Sequence, residues 1–179
     1  MPRARALCEL VACALNLDRL GTPAFGALAR VVAGSRCYRL TVGDLDRACS
    51  TVDRLAQGLD RPDAAPPGGM LVSEPSDAAR RALGSDIVDA GSAVVRRPGL
   101  AWVLLDRVVV FDPDTGRVVD LNTSGSLLWQ VLDGETPLAA VAADLADGYG
   151  SSRRVVEADV VALARRLARL GLLAGSPVG

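Results

Sequence analysis

The stretch that most constrains this chain is 108–134, VVVFDPDTGRVVDLNTSGSLLWQVLDG, because it commits the backbone to a strand, a turn, a returning strand and a helix with almost no slack. Val108, Val109, Val110 and Phe111 form a β-branched and aromatic run. Asp106 and Arg107 bound it on one side and Asp112-Pro113-Asp114-Thr115-Gly116 on the other. Such a run between turn formers reads as a strand. Pro113 fixes φ for a turn, Asp114 can bond its own backbone, and Gly116 supplies the positive φ that a loop of this length needs. Arg117, Val118, Val119, Asp120 and Leu121 return as the partner strand. Asn122, Thr123 and Ser124 then offer acceptors to a helix start, behind which Leu127, Leu128, Val131 and Leu132 recur at helical spacing.

The flanking chain falls into three parts. In the first, 1–59, Leu7, Leu10, Val11, Ala14 and Leu15 predict an amphipathic helix over 3–17. Thr22-Pro23 predicts a second helix with Phe25, Leu28, Val31 and Val32 on its buried face, ending at Gly34. Thr41 precedes a third, carrying Val42, Leu45, Ala48, Val52 and Leu55. Three such helices make a small bundle that is marginal by itself. The second part, 60–91, is rich in proline and glycine between Pro62 and Gly69 and reads as a flexible linker, with at most a turn of helix over 77–83. The third part, 92–175, opens with possible strands at Val94-Val95 and 100–105, the latter holding Trp102. After the hairpin and its helix, Thr136-Pro137 starts another helix bearing Leu138, Val141, Ala142 and Leu145. Ser152 caps the last and longest, where Val156, Val160, Leu163, Leu167 and Leu170 form an apolar seam. Leu172-Leu173 is a hydrophobic tail able to fold back onto it. The fold class is therefore α+β: a small helical region, then a three-stranded sheet followed by three helices.

Composition removes several functions. The chain has 179 residues, a net charge of −1 and no histidine, so Ser-His-Asp and Cys-His catalysis and His-based metal sites are excluded. All 20 basic residues are arginines, with 11 against 9 acidic residues before Gly84 and 9 against 12 after it, too even a balance for a nucleic-acid footprint. Cys8, Cys13, Cys37 and Cys49 match no metal or redox spacing and read as small buried hydrophobes of a reduced protein. The apolar segment 6–17 is interrupted by Glu9 and lacks a small-residue cleavage site, so a core helix and a cytoplasmic protein are expected, with no membrane span. No metal or cofactor is expected. The acid pairs Asp112/Asp114 and Asp144/Asp147 could in principle do acid-base work, but the first belongs to a turn and the second to a helix end.

Taken in order, VVDLN, a small-residue cap, LLWQVLDG, TPLAAVAADLADGY and a DV-led helix ending in LARLGLL resemble the PqqD family over about 93–173. That resemblance implies a winged helix-turn-helix domain that recognises the leader of a ribosomally made, post-translationally modified peptide. The leader would add as a strand beside the third strand of the sheet, its side chains entering the groove against the last helix. Physics agrees, since a small sheet leaves an open edge that can template an incoming strand. Carried onto this chain, the edge is Arg117, Val118, Val119, Asp120 and Leu121, and the groove wall is Val156, Asp159, Val160, Leu163, Arg166 and Leu167. Trp129 and Leu132 are assigned to core.

The first half, 5–58, more loosely resembles the helical part of lasso-peptide leader peptidases. Their catalytic half is missing here, and Cys49 lies within a helical pattern. What this implies is a remnant or a part that docks an enzyme. The expected function is thus a non-catalytic adaptor whose partners are a precursor leader and a modifying enzyme or leader peptidase; the oligomeric state is left open. The alternative is a winged-helix DNA-binding regulator using Arg153, Arg154, Arg165, Arg166 and Arg169, which a net acidic second half disfavours.

Overall fold

The computed structural model describes residues 1–14, 17–39, 45–57, 71–72 and 88–175. Over these residues the chain forms helices α1 (Arg3–Cys13), α2 (Leu17–Ala33) and α3 (Leu45–Gln57), then strands β1 (Leu71–Val72), β2 (Val94–Arg96), β3 (Ala101–Leu104), β4 (Val108–Asp112) and β5 (Arg117–Asp120). Helices α4 (Thr123–Val131), α5 (Leu138–Tyr149) and α6 (Arg153–Arg169) and strand β6 (Leu173–Gly175) complete it. The expected cap at Thr41, most of the 60–91 linker and the 77–83 turn lie outside the described residues.

One antiparallel sheet, in the order β1-β3-β4-β5, organises the rest. Every residue of β4 is buried. Because alternate side chains of a strand point to opposite faces, a central strand buried throughout requires a covering layer on both faces. Val108 and Val110 join Trp102, Leu128, Trp129, Leu138, Val160 and Leu167 in the core under α4–α6. Val109 and Phe111 join Leu7, Val11, Phe25, Ala29 and Val32 in a second core under α1 and α2. The Phe25 and Phe111 rings stack with centroids 5.1 Å apart, and the Ala4 amide donates to Asp106 Oδ1 at 2.7 Å. The first two helices, read from sequence as members of a three-helix bundle, thus bury their apolar faces on the sheet as well as on each other.

Several local readings are corrected. The first helix ends at Cys13. The boundary read at Gly21-Thr22-Pro23, by contrast, agrees with the structure: Gly21 (φ 57°, ψ −145°) breaks α2 just ahead of Thr22-Pro23. Leu10, Val31, Leu127 and Val131, assigned to apolar stripes, are exposed, as are Cys13 and Cys49, which are not buried hydrophobes. Val94-Val95 pairs not with the main sheet but with the C-terminal tail, Val95 facing Ala174 and Arg96 facing Leu173. Leu172 and Leu173 are buried by that pairing. Thr136 and Ser152 make no side-chain cap bond to their helices. The first amides of α5 donate instead to carbonyls of the 90–92 loop, Leu138 to Ser92 at 3.0 Å and Ala139 to Ala90 at 2.8 Å. Asp133 organises the preceding turn by accepting from the Thr136 amide, the Thr136 hydroxyl and the Glu135 amide, and these bonds hold its carboxyl down at about 2. Trp129 and Leu132 are core.

Among the described residues, no helix is long and apolar enough to cross a membrane, and no cluster of three or more Cys, Asp or Glu residues could hold a metal ion.

Candidate functional site

The two edges of the sheet are unequal. On one side β1 covers β3, with Leu71 opposite Trp102 and Val72 opposite Ala101. On the other, among the described residues, β5 pairs with β4 alone. The register decides which of its backbone groups are free. Leu121 donates to the Val108 carbonyl at 2.9 Å, so Arg117, Val119 and Leu121 turn their backbone groups towards β4. By the alternation of an antiparallel ladder, the N–H and C=O groups of Val118 and Asp120 point out of the sheet.

Local sequence chemistry fixes this edge at both ends. At the turn, Asp112 rather than Asp114 supplies the organising carboxylate: it accepts from the Asp114 amide at 3.1 Å and the Thr115 hydroxyl at 2.9 Å. Gly116 closes the turn at φ 68°, a conformation that favours glycine. At the far end, Ser126 Oγ accepts from the buried Val108 amide at 2.9 Å and donates to the Leu121 carbonyl at 3.3 Å, substituting for a ladder bond. Asn122 Oδ1 caps α4 through the Gly125 amide at 2.8 Å.

Beside β5 lies a cleft of about 140 Å³ against α6, lined by Arg107, Val119, Asp120, Leu121, Asn122, Gly125, Leu163, Arg166, Leu167 and Leu170. The structure thus brings together Val119, Asp120, Leu121, Leu163, Arg166 and Leu167 of the sequence-predicted residues. Arg117 is exposed, and Val118 packs towards α1 and α2. Val156, Asp159 and Val160 line a different depression, between α4, α5 and α6, which shares only Leu163 with the first. Sequence reasoning missed Arg107, Asn122, Gly125 and Leu170. Gly125 had a readable signal, a glycine just inside a capped helix: a Cβ there would stand 3.0 Å from Asn122 Oδ1 and 3.4 Å from Leu121 Cβ, so only glycine leaves the cleft floor open.

The electrostatics of the cleft are paired rather than reactive. Arg107 Nη2 holds Asp120 at 2.8 Å. Burial pushes the Asp120 carboxyl above its ordinary value, against the pull of Arg107. On the opposite face of β5, burial and then the Asp120 charge push the Cys8 thiol up to about 11, which keeps it protonated and a poor nucleophile. The two walls of the cleft are tied together by Arg97. Its guanidinium bonds Asp112 Oδ2 at 2.6 Å and Asp114 at 3.2 Å in the hairpin turn, and donates through Nε to the Gly171 carbonyl at 2.8 Å, just past the end of α6. Arg165 and Arg153, offered above as phosphate contacts, are engaged within the protein: Arg165 donates to the Val88 carbonyl at 2.8 Å and Arg153 pairs with Asp147 at 2.8 Å.

Residues 107–173 match the family of coenzyme PQQ synthesis protein D (PqqD). The matched span, well under half of the chain, runs from the residue before β4 to the start of β6, so these elements are what is similar to the PqqD family. The likeness of 5–58 to lasso-peptide leader peptidases finds no support, since that segment lies outside the match. No curated protein and no solved structure matches the chain.

Proposed function

We propose that this chain is a non-catalytic recognition protein of ribosomal peptide biosynthesis, which binds the leader of a precursor peptide by strand addition at β5 and presents it to a modifying enzyme or leader peptidase. The observation that carries this reading is the unequal pair of sheet edges. β1 covers the far edge, while β5 offers the outward groups of Val118 and Asp120 beside a cleft lined by α6. Main-chain bonds to those groups provide affinity, and side chains entering between Val119, Leu163 and Leu167 provide selectivity. The PqqD match over 107–173 supports precursor recognition as the purpose of that edge. The helices of 1–59 keep an outer surface, including exposed Leu20, Val31 and Val52, on which a partner enzyme can dock.

The test is a titration of the full chain with the leader of the short precursor reading frame expected beside its gene, followed by calorimetry or fluorescence anisotropy. Saturable binding in the micromolar range or tighter supports the reading. Absence of binding at tens of micromolar overturns it.

A further inference from the structure

We propose that α1 forms a second recognition wall, so that an extended leader bound at β5 is read on both of its faces, with alternate side chains received in a groove between α1 and β5. The inference rests on strand addition at β5. Any strand paired there, parallel or antiparallel, presents successive side chains to opposite faces of the sheet. One set meets the α6 cleft. The other set must fall on the face of Val118, where the structure holds a groove of about 560 Å³ lined chiefly by Cys8, Val11, Ala12, Ala14, Leu17 and Val118. The groove is continuous with the edge that the leader would extend, because Val118 both lines it and carries outward backbone groups. Among the described residues its lining side chains are uncharged but include Thr115 beside the apolar ones, so the occupant is a small or medium uncharged side chain of the same peptide. Asp120 alternates with Val119 and so shares the face of Val118; paired with Arg107 and acting on Cys8, it borders this groove, whereas Arg166 lines the α6 cleft. α1 lies outside the span that matches PqqD, which makes this wall a property of this chain rather than of the matched domain.

The experiment combines a single-residue scan of the leader with variants of exposed Ala12, using full-length protein throughout. Ala12→Trp fills the groove without disturbing a buried position, and Ala12→Ser is its conservative control. The wild-type scan should show sensitivity at two interleaved sets of positions. Ala12→Trp should weaken the leader by about ten- to a hundredfold, the worth of one buried aliphatic side chain. It should also abolish sensitivity in one set only, while Ala12→Ser stays within about twofold. If wild type is sensitive in one set alone, or if Ala12→Trp binds like wild type, the second wall is wrong and strand addition at β5 stands. If the leader does not bind wild type at all, both fall.

Discussion

Replacing Arg97 by methionine should loosen the hairpin from α6. The side chain is only 16% exposed and its Asp112 partner 12%, and it also serves Asp114 and the Gly171 carbonyl. Breaking a fully buried pair from one side costs about 3–5 kcal/mol. Partial exposure and the remaining Thr115 and Asp114 bonds reduce that to about 2–4 kcal/mol, or about 4–16 °C in Tm for a chain of this size. The loss should depend on pH in a defined direction. Burial raises the Asp112 carboxyl, but Thr115, Arg97 and the Asp114 amide together hold it below 3.8. Its stabilising contribution is therefore present above that value and is lost as pH falls through the folded value. Without Arg97 the folded value rises, so the difference between variant and wild type is largest near neutrality and shrinks on acidification. Urea unfolding followed by fluorescence of Trp102 and Trp129, repeated from pH 7 down to about pH 3, measures it. A penalty below about 1 kcal/mol, or one that does not change with pH, would refute the clamp. Arg97→Lys should recover only part of the loss, because an ammonium cannot span three partners as the planar guanidinium does.

Phe25→Ala removes a fully buried ring stacked on Phe111 and should cost about 3–5 kcal/mol, seen as one shifted unfolding transition; two separate transitions would show that the first helices and the sheet do not unfold together. Ser126→Ala orphans the buried Val108 amide and should cost about 1–2 kcal/mol, with faster hydrogen exchange at Val108 and Leu121 as the local readout. Asn122→Ala should cost about 1 kcal/mol of stability through loss of the α4 cap, measured by urea unfolding, whereas Gly125→Ala should weaken leader binding by crowding the cleft floor. Retention on heparin at moderate salt should be negligible, since the second half is net acidic, Arg165 is held by the Val88 carbonyl and Arg153 is neutralised by Asp147 on the surface.

What the sequence made legible is what short-range chemistry decides. The hairpin follows from Val108–Asp112 meeting a Pro-Asp-Thr-Gly turn, and the start of α4 from Asn122, all within a few residues. The α6 wall was half legible: the seam placed Leu163 and Leu167 in the cleft but also gathered Val156 and Val160, which the α4–α5 side claims instead. Helical periodicity alone cannot divide one face between two neighbours. Long-range closure was not legible. Arg97 reaches a carbonyl 74 residues away, and the α5 amides use loop carbonyls rather than the Thr136 side chain. One signal was present and unused. Four consecutive apolar residues at 108–111 leave no solvent face on that strand, which requires a second covering layer, and α1 and α2 supply it.

The central claim is that β5 is where a leader adds, and amide hydrogen exchange of the full chain with and without the leader tests it most directly. Val118 and Asp120 should gain protection on binding. Val119 and Leu121, already turned towards β4, should change little. A leader that binds while leaving the Val118 and Asp120 amides as exchangeable as before would contradict strand addition at this edge.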